Sequence, residues 1–222
     1  MKIIVAIPAY NEATRIEHVV RNALPCATEV VVIDDASTDD TSACAVRAGA
    51  RVLRHCVNRD LGGALQTAFA YARKSNADVL VTIDGDGQFL AHEIERLLQP
   101  IARGTADVVV GSRFLQRNTV PFVRRWGNRV GNVVTWLLFG AKVTDSQSGF
   151  RAFTRKAFNS IEVRTSGMEV SSEIVKEIHV QHLRLIEVPV TVRYDRYSLS
   201  KGQGIARGVR TFFALLLHRI TR

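Results

Sequence analysis

Two carboxylates one residue apart, Asp84 and Asp86, end the apolar run Val79-Leu-Val-Thr-Ile83, and the amide of Gln88 follows. Carboxylate and amide oxygens are hard donors. They suit Mg²⁺ or Mn²⁺, and Mg²⁺ in particular often divides its coordination between one or two carboxylates and substrate phosphates. The β-prone run reads as a buried strand, and Gly85 and Gly87 let the backbone turn at its end. In open α/β sheets, ligands bind beyond the carboxyl ends of strands. The spacing therefore predicts a metal–diphosphate site. Three other readings compete with it. An acidic surface turn needs no ligand. An EF-hand loop would put Asp84, Asp86, Gln88 and Glu95 at ligand positions, but Phe89 stands where that loop needs Gly. A phosphatase D-x-D-G-T motif would have Thr in place of Gln88 and would follow a chain's first strand.

The elements that must carry these groups alternate through residues 1–112. Strands are expected at Lys2–Ile7, Glu29–Asp34, Arg51–Arg54, Val79–Ile83 and Asp107–Val110. Helices are expected after Asn11 (as a cap), from the Ser37–Thr41 capping cluster to Gly49, over Gly62–Ser75 and over His92–Ala102. Such alternation predicts a mainly parallel sheet with helices on both faces, and right-handed crossovers bring the strand ends to one edge. That edge collects Pro8-Ala-Tyr10-Asn11-Glu12, Asp34-Asp35-Ala-Ser37, Asp84-Gly-Asp86 and Gly111-Ser-Arg113-Phe114. Tyr10 offers a flat ring to a base, and Asp35 can accept from a base or ribose. Four polar strand ends together suggest a nucleotide site. No G-x-G-x-x-G follows the first strand and no Walker lysine motif is present, which argues against a dinucleotide redox fold and a P-loop.

The segments Ile7-Pro-Ala-Tyr-Asn-Glu12, Val32-Ile-Asp-Asp-Ala-Ser-Thr-Asp-Asp-Thr41, Asp84-Gly-Asp86, Gly111-Ser-Arg-Phe114 and Asp145-Ser-Gln-Ser-Gly-Phe-Arg151 resemble glycosyltransferase family 2. The similarity is greatest to its dolichol-phosphate mannose synthase branch and related polyprenyl-phosphate enzymes. The resemblance implies an α/β GT-A (Rossmann-like) fold and inverting, metal-dependent transfer from a nucleotide sugar of the GDP-mannose or UDP-glucose type. By position it assigns the nucleotide to Pro8, Tyr10, Glu12, Ile33 and Asp35. It gives the donor contacts to Asp84 and Gly85, and the Mg²⁺ or Mn²⁺ to Asp86 and Gln88. Arg113 would face the phosphates, and Asp145 would act as a base or position the acceptor. Arg196 and Lys201 would clamp the donor, although Arg196-Tyr-Ser-Leu-Ser-Lys201 is one residue shorter than the branch's motif and lacks its Gly. Asp60 stands where relatives often have Gly. The Q-x-x-R-W motif of processive synthases is absent.

Charge divides the chain. Residues 1–112 hold 11 Lys and Arg against 14 Asp and Glu, a net −3, while residues 113–222 hold 19 against 7, a net +12. In the second part, Arg117, Arg124, Arg125 and Arg129 interleave with Phe122, Val123, Trp126 and Val130. This mixture suits a membrane interface and an anionic lipid acceptor, or else a core helix with a basic outer face. Ile205–Arg222 repeats it as a basic amphipathic helix. Glu169 and Glu173, near the helix expected over Val170–Gln181, are acceptor-side candidates, and Arg184–Val192 is expected to add a strand. The domain reading is 1–204 as one catalytic unit, with a nucleotide-sugar part to 112 and an acceptor part after it, and 205–222 as the appended helix. No run approaches the about 18 apolar residues of a membrane span. Three scattered cysteines read as reduced thiols. The expected setting is therefore the cytoplasmic face of a membrane, with or without a separate membrane-spanning subunit beside it, and with no nucleic-acid partner. Transfer to a soluble or polysaccharide hydroxyl with Asp145 as base, and a non-enzymatic lipid- or nucleic-acid-binding subunit, are the alternatives.

Overall fold

Apolar side chains occupy both faces of the central strands, so both faces must be covered. In β1 (Ile3–Ala9), Val5, Ile7 and Ala9 enter one core while Ile4 and Ala6 enter the other. β2 (Glu29–Asp34) and β4 (Val79–Thr82) divide in the same way, as the two-residue period of a strand requires. Helices α1 (Ile16–Ala23), α2 (Thr41–Arg47) and α4 (Ile94–Ala102) cover the first face. Helices α3 (Asp60–Lys74), α6 (Arg155–Ser160) and α7 (Val170–Val180) cover the second. A computed structural model describes residues 1–118, 120–140 and 142–194.

The remaining strands are β3 (Arg51–Arg54), β5 (Val108–Ser112), β6 (Arg151–Thr154) and β7 (Leu185–Pro189). The seven strands lie in the order β3-β2-β1-β4-β6-β5-β7. All neighbouring pairs are parallel except those made by β6, which runs antiparallel between β4 and β5. The expected alternating α/β sheet with helices on both faces is borne out.

Two departures bear on the site. First, β6 was not expected, since Arg-Ala-Phe-Thr is short and begins with a charge. Because β6 is antiparallel, it starts where β4 ends, with Arg151 paired to Thr82, so the loop before it lies at the ligand edge. Second, β5 lies between β6 and β7, both contributed by the later part of the chain. The helix that precedes the loop before β6 is α5 (Phe122–Phe139), which ends at Gly140 in the left-handed conformation (φ 71°). No helix among the described residues is long and apolar enough to cross a membrane.

Candidate active site

The loops after β1 and β2 are stitched together. Asp35 N donates to Ala9 O (2.9 Å), Asn11 N to Ser37 Oγ (2.9 Å) and Glu12 N to Thr41 Oγ1 (2.8 Å). Asp34 is fully buried and accepts from Ser37 N and from the Ser42 hydroxyl. The expected cap at Asn11 is corrected. Helix α1 starts only at Ile16, and the Asn11 side chain instead accepts from Thr38 N (2.8 Å), tying one loop to the next. Tyr10 remains 46% exposed, as a ring available for stacking must be. The Ile33 side chain is buried in the core on the α3 side, so a nucleotide could meet this residue only through its main chain. Asp35 is nearly enclosed. Its Oδ1 lies 2.6 Å from His55 Nδ1 and accepts from Arg59 N (2.8 Å). A polar cavity of about 770 Å³ opens alongside, lined by the 36–39 loop and by Arg54, His55 and Cys56. It contains none of the carboxylates after β4.

Those carboxylates follow β4 directly. Gly85 packs closely on the first strand, since a Cβ there would lie a tight 3.1 Å from Pro8 O. Asp84 rests on Gly149, whose added Cβ would fall 2.2 Å from Asp84 Oδ1. Asp86 turns back on its own loop, accepting from Gln88 N (2.9 Å) and Gln88 Nε2 (2.5 Å). Burial first, and the Asp86 charge second, push the Asp84 carboxyl up to about 7, with Glu12 adding to the rise and Arg113 and Arg151 opposing it. Two acids that repel each other in a poorly solvated place fit a divalent cation, which favours both ionised forms. The donor set is hard oxygen. No group of three His, Cys, Asp or Glu side chains among the described residues could cage a metal alone, which matches an ion whose coordination a diphosphate completes. Asp86 and Gln88 Oε1 could hold such an ion, with Asp84 behind them.

The next cluster has the opposite character. Arg113, at the end of β5, grips Asp145 with Nε to Oδ2 (2.7 Å), Nη2 to Oδ1 (2.7 Å) and its own backbone N to Oδ2 (3.0 Å). Asp145 is fully buried. Burial alone would make Arg113 easier to deprotonate, but the Asp145 pair outweighs it and the guanidinium is held more firmly charged than usual. Its ring neighbours Phe89 and Phe114 each lie 5.8 Å from the guanidinium carbon. Glu187 on β7 fixes the loop before Asp145, accepting from Thr144 N and from Asp145 N (3.1 Å). Asn128 and Asn132 of α5 donate to Thr144 O (3.1 and 2.6 Å). Arg151 is buried between Asp145 and Asp84 and donates to Ser146 O (2.8 Å), and desolvation lowers it to about 10. With both carboxylate oxygens engaged, Asp145 is suited to aiming Arg113 rather than to taking a proton.

Helix α5 carries the last feature. Phe122, Trp126, Val130, Val133 and Trp136 are 74, 62, 43, 47 and 46% exposed, and Arg125 and Arg129 are exposed as well. At 100° per residue they share one face, while Asn128 and Asn132 turn toward the Arg113 cluster. Among the described side chains of this helix, the exposed face mixes large apolar residues with arginines rather than carrying charges alone. Glu173, by contrast, is buried and accepts from Arg164 N, Thr165 N and Thr165 Oγ1, so it shapes a loop rather than facing the edge. Glu169 accepts from Gly167 N (3.3 Å). Arg196, Lys201 and the 205–222 segment lie outside the described residues.

The residues expected at the ligand edge, Pro8, Tyr10, Glu12, Asp35, Asp84, Gly85, Asp86, Gln88, Arg113 and Asp145, lie on the segments at the carboxyl ends of β1, β2, β4 and β5 and before β6 of one sheet. Sequence reasoning passes over Gly149, Arg151, Glu187 and His55. Gly149 and Arg151 sit inside a quoted motif, but their partners are distant in sequence. The Thr-His pairing to Asp35 has no local signal at all.

The family model described as Glycosyl transferase family 2 matches residues 4–162. An uncharacterized protein of Methanocaldococcus jannaschii is 36% identical over 99% of this chain and 93% of its own length. The UDP-N-acetylglucosamine–dolichyl-phosphate N-acetylglucosaminyltransferase of Methanococcus voltae is 32% identical over 95% of this chain and 93% of its own. Among solved structures, glucosyl-3-phosphoglycerate synthase from Mycobacterium tuberculosis, in complex with Mn²⁺, UDP and glucosyl-3-phosphoglycerate, superposes with a TM-score of 0.78 at 23% identity. That match covers 98% of this chain and 79% of the other. At this identity it supports the GT-A-like fold alone.

Proposed function

This chain belongs to glycosyl transferase family 2, and on that premise we propose that it moves one sugar from a nucleotide-diphosphate donor to a polyprenyl or dolichyl phosphate at a membrane surface. Mannose, glucose and N-acetylglucosamine are the candidate sugars, and residues 1–204 are the catalytic unit. The observation that carries the acceptor reading is the closed Arg113–Asp145 pair. A sugar hydroxyl must lose a proton to attack, and a general base has to be within reach. Asp145 is fully buried with both oxygens on Arg113, a poor state for that task. A lipid phosphate is already an anion and needs only a positive seat and an orientation. The exposed aromatic and arginine face of α5, bonded through Asn128 and Asn132 to the loop that carries Asp145, supports a membrane-lying acceptor.

In this mechanism Tyr10 stacks on the base and Asp35 accepts from it, while Glu12 holds the loop between them. Asp86 and Gln88 would hold Mg²⁺ or Mn²⁺, which supplies positive charge to the diphosphate. Arg113 spends two of its five N–H groups on Asp145, so others can approach the phosphates, and Arg196 and Lys201 are proposed to clamp the donor as well. The acceptor phosphate oxygen attacks the anomeric carbon opposite the leaving group. The new carbon–oxygen bond forms as the bond to the nucleoside diphosphate breaks, the configuration inverts, and no proton is transferred. A peripheral position on the cytoplasmic leaflet, with or without a membrane-spanning partner, completes the proposal.

The test is to incubate the full chain with Mn²⁺, a panel of labelled nucleotide sugars and polyprenyl phosphate, then extract with organic solvent. Label in the organic phase is expected. Label confined to the aqueous phase, on a soluble acceptor, would reject the lipid acceptor.

A further inference from the structure

The contacts of Asp35 are unequal between its two oxygens. Oδ1 faces two donors, His55 Nδ1 at 2.6 Å and Arg59 N at 2.8 Å. A carboxylate only accepts, so Nδ1 carries the hydrogen, and the two bonds fill the two lone pairs of that oxygen. The arrangement is braced. His55 Nε2 lies 2.8 Å from Thr67 Oγ1 on α3, and that hydroxyl lies 3.1 Å from Gly63 O. His55 and Asp35 are both nearly enclosed. No hydrogen bond to Oδ2 occurs among the described residues. The backbone of Asp35 is tied to Ala9, next to the exposed ring of Tyr10.

We propose that His55 and Arg59, by filling Oδ1, leave Asp35 one acceptor for the base, and that the site thereby selects a uridine-type donor over a guanosine-type one. The proposal rests on the nucleotide-sugar reading above and narrows it. Uracil has a single ring N–H between two carbonyls, which one oxygen satisfies. Guanine presents two donors side by side, N1–H and the N2 amino group, which need both carboxylate oxygens. One of them would face the saturated Oδ1. A donor left unpaired in an enclosed site weakens binding by about 10- to 100-fold.

The test is titration calorimetry of the full chain with UDP, GDP, CDP and ADP, each with Mn²⁺. UDP should bind about 10- to 100-fold more tightly than GDP. GDP binding as tightly as UDP, or more so, would overturn this inference and leave the nucleotide-sugar reading standing. No binding of any nucleoside diphosphate would overturn both. His55→Ala frees Oδ1 and loosens Asp35, so the UDP-to-GDP ratio should contract at least threefold. His55→Gln, whose amide can donate from the same side, should keep most of the ratio. Equal weakening of all four nucleotides in His55→Ala would show a merely structural histidine and sink its part in selection. If His55→Ala does not fold, the wild-type panel and His55→Gln decide the matter.

Discussion

Two charged clusters share the ligand edge, and they are built on opposite plans. After β4, Asp84 and Asp86 put like charges together, and burial and repulsion push Asp84 up to about 7. Around the end of β5 the signs alternate, with Asp145 gripped by Arg113 and flanked by Arg151. In the second cluster both Asp145 oxygens are engaged and the carboxylate is fully paired. The first is short of positive charge and would be relieved by a cation. Ligand sites are expected where charge is unbalanced, and the parts that aim them where it is balanced.

This contrast predicts opposite outcomes for removing one acid from each cluster. Asp86→Ala should lower sugar transfer by about 10³-fold or more, since the charge on the leaving diphosphate loses its counter-ion. It should leave urea stability unchanged or raised, because a repelling neighbour is gone. Turnover near wild type in that variant would remove the metal role and favour a non-catalytic binding subunit. Asp145→Ala should instead strand a buried guanidinium and cost about 3–5 kcal/mol in a urea unfolding curve. A cost below about 1 kcal/mol would show that the pair is not the scaffold described.

Gly149→Ala joins the two clusters. Its Cβ would arrive 2.2 Å from Asp84 Oδ1, so Asp84 must move, and Mn²⁺ affinity should fall by about 10- to 100-fold with the fold intact. Unchanged Mn²⁺ binding would free Asp84 from any part in the metal site. The smallest effect belongs to a balanced pair at the far edge of the sheet. Hydrogen bonding from Arg184 holds the Asp107 carboxyl down at about 2, below its ordinary 3.8. The folded value is the lower one, so this stability is present above about pH 4 and is lost as pH falls toward 2. Arg184 is half exposed, which limits the pair to about 1 kcal/mol. Asp107→Asn should lose about that much at pH 7 and flatten the acid limb of a stability–pH curve. An unaltered acid limb would assign the acid sensitivity elsewhere.

How much was legible in the sequence follows from how local each signal is. The Asp84-Gly-Asp86-Gly-Gln88 stretch carries its chemistry within five residues, and the apolar runs of β1 to β5 declare themselves one by one. The family resemblance and the α/β fold were legible for that reason. Strand β6 was not, because four residues led by Arg151 give no period to read and the neighbours that make them a strand are β4 and β5. Asn11 has the composition of a helix cap, yet the neighbouring loop recruits its side chain. Asp145 could be picked out by its motif, but its partners Arg113 and Glu187 are 32 and 42 residues away, so whether it was base or brace depended on the fold. Gly149 shows the same limit: its lack of a side chain matters only because Asp84 lies on it.

The unbalanced pair is the centre of this account, and Mn²⁺ binding tests it most directly. Titrated into wild-type protein at neutral pH and followed by electron paramagnetic resonance, Mn²⁺ should bind weakly alone and at least tenfold more tightly with UDP present, and Asp86→Ala should abolish that gain. Mn²⁺ binding that UDP does not tighten, or that survives intact in Asp86→Ala, would contradict a metal–diphosphate site at the end of β4.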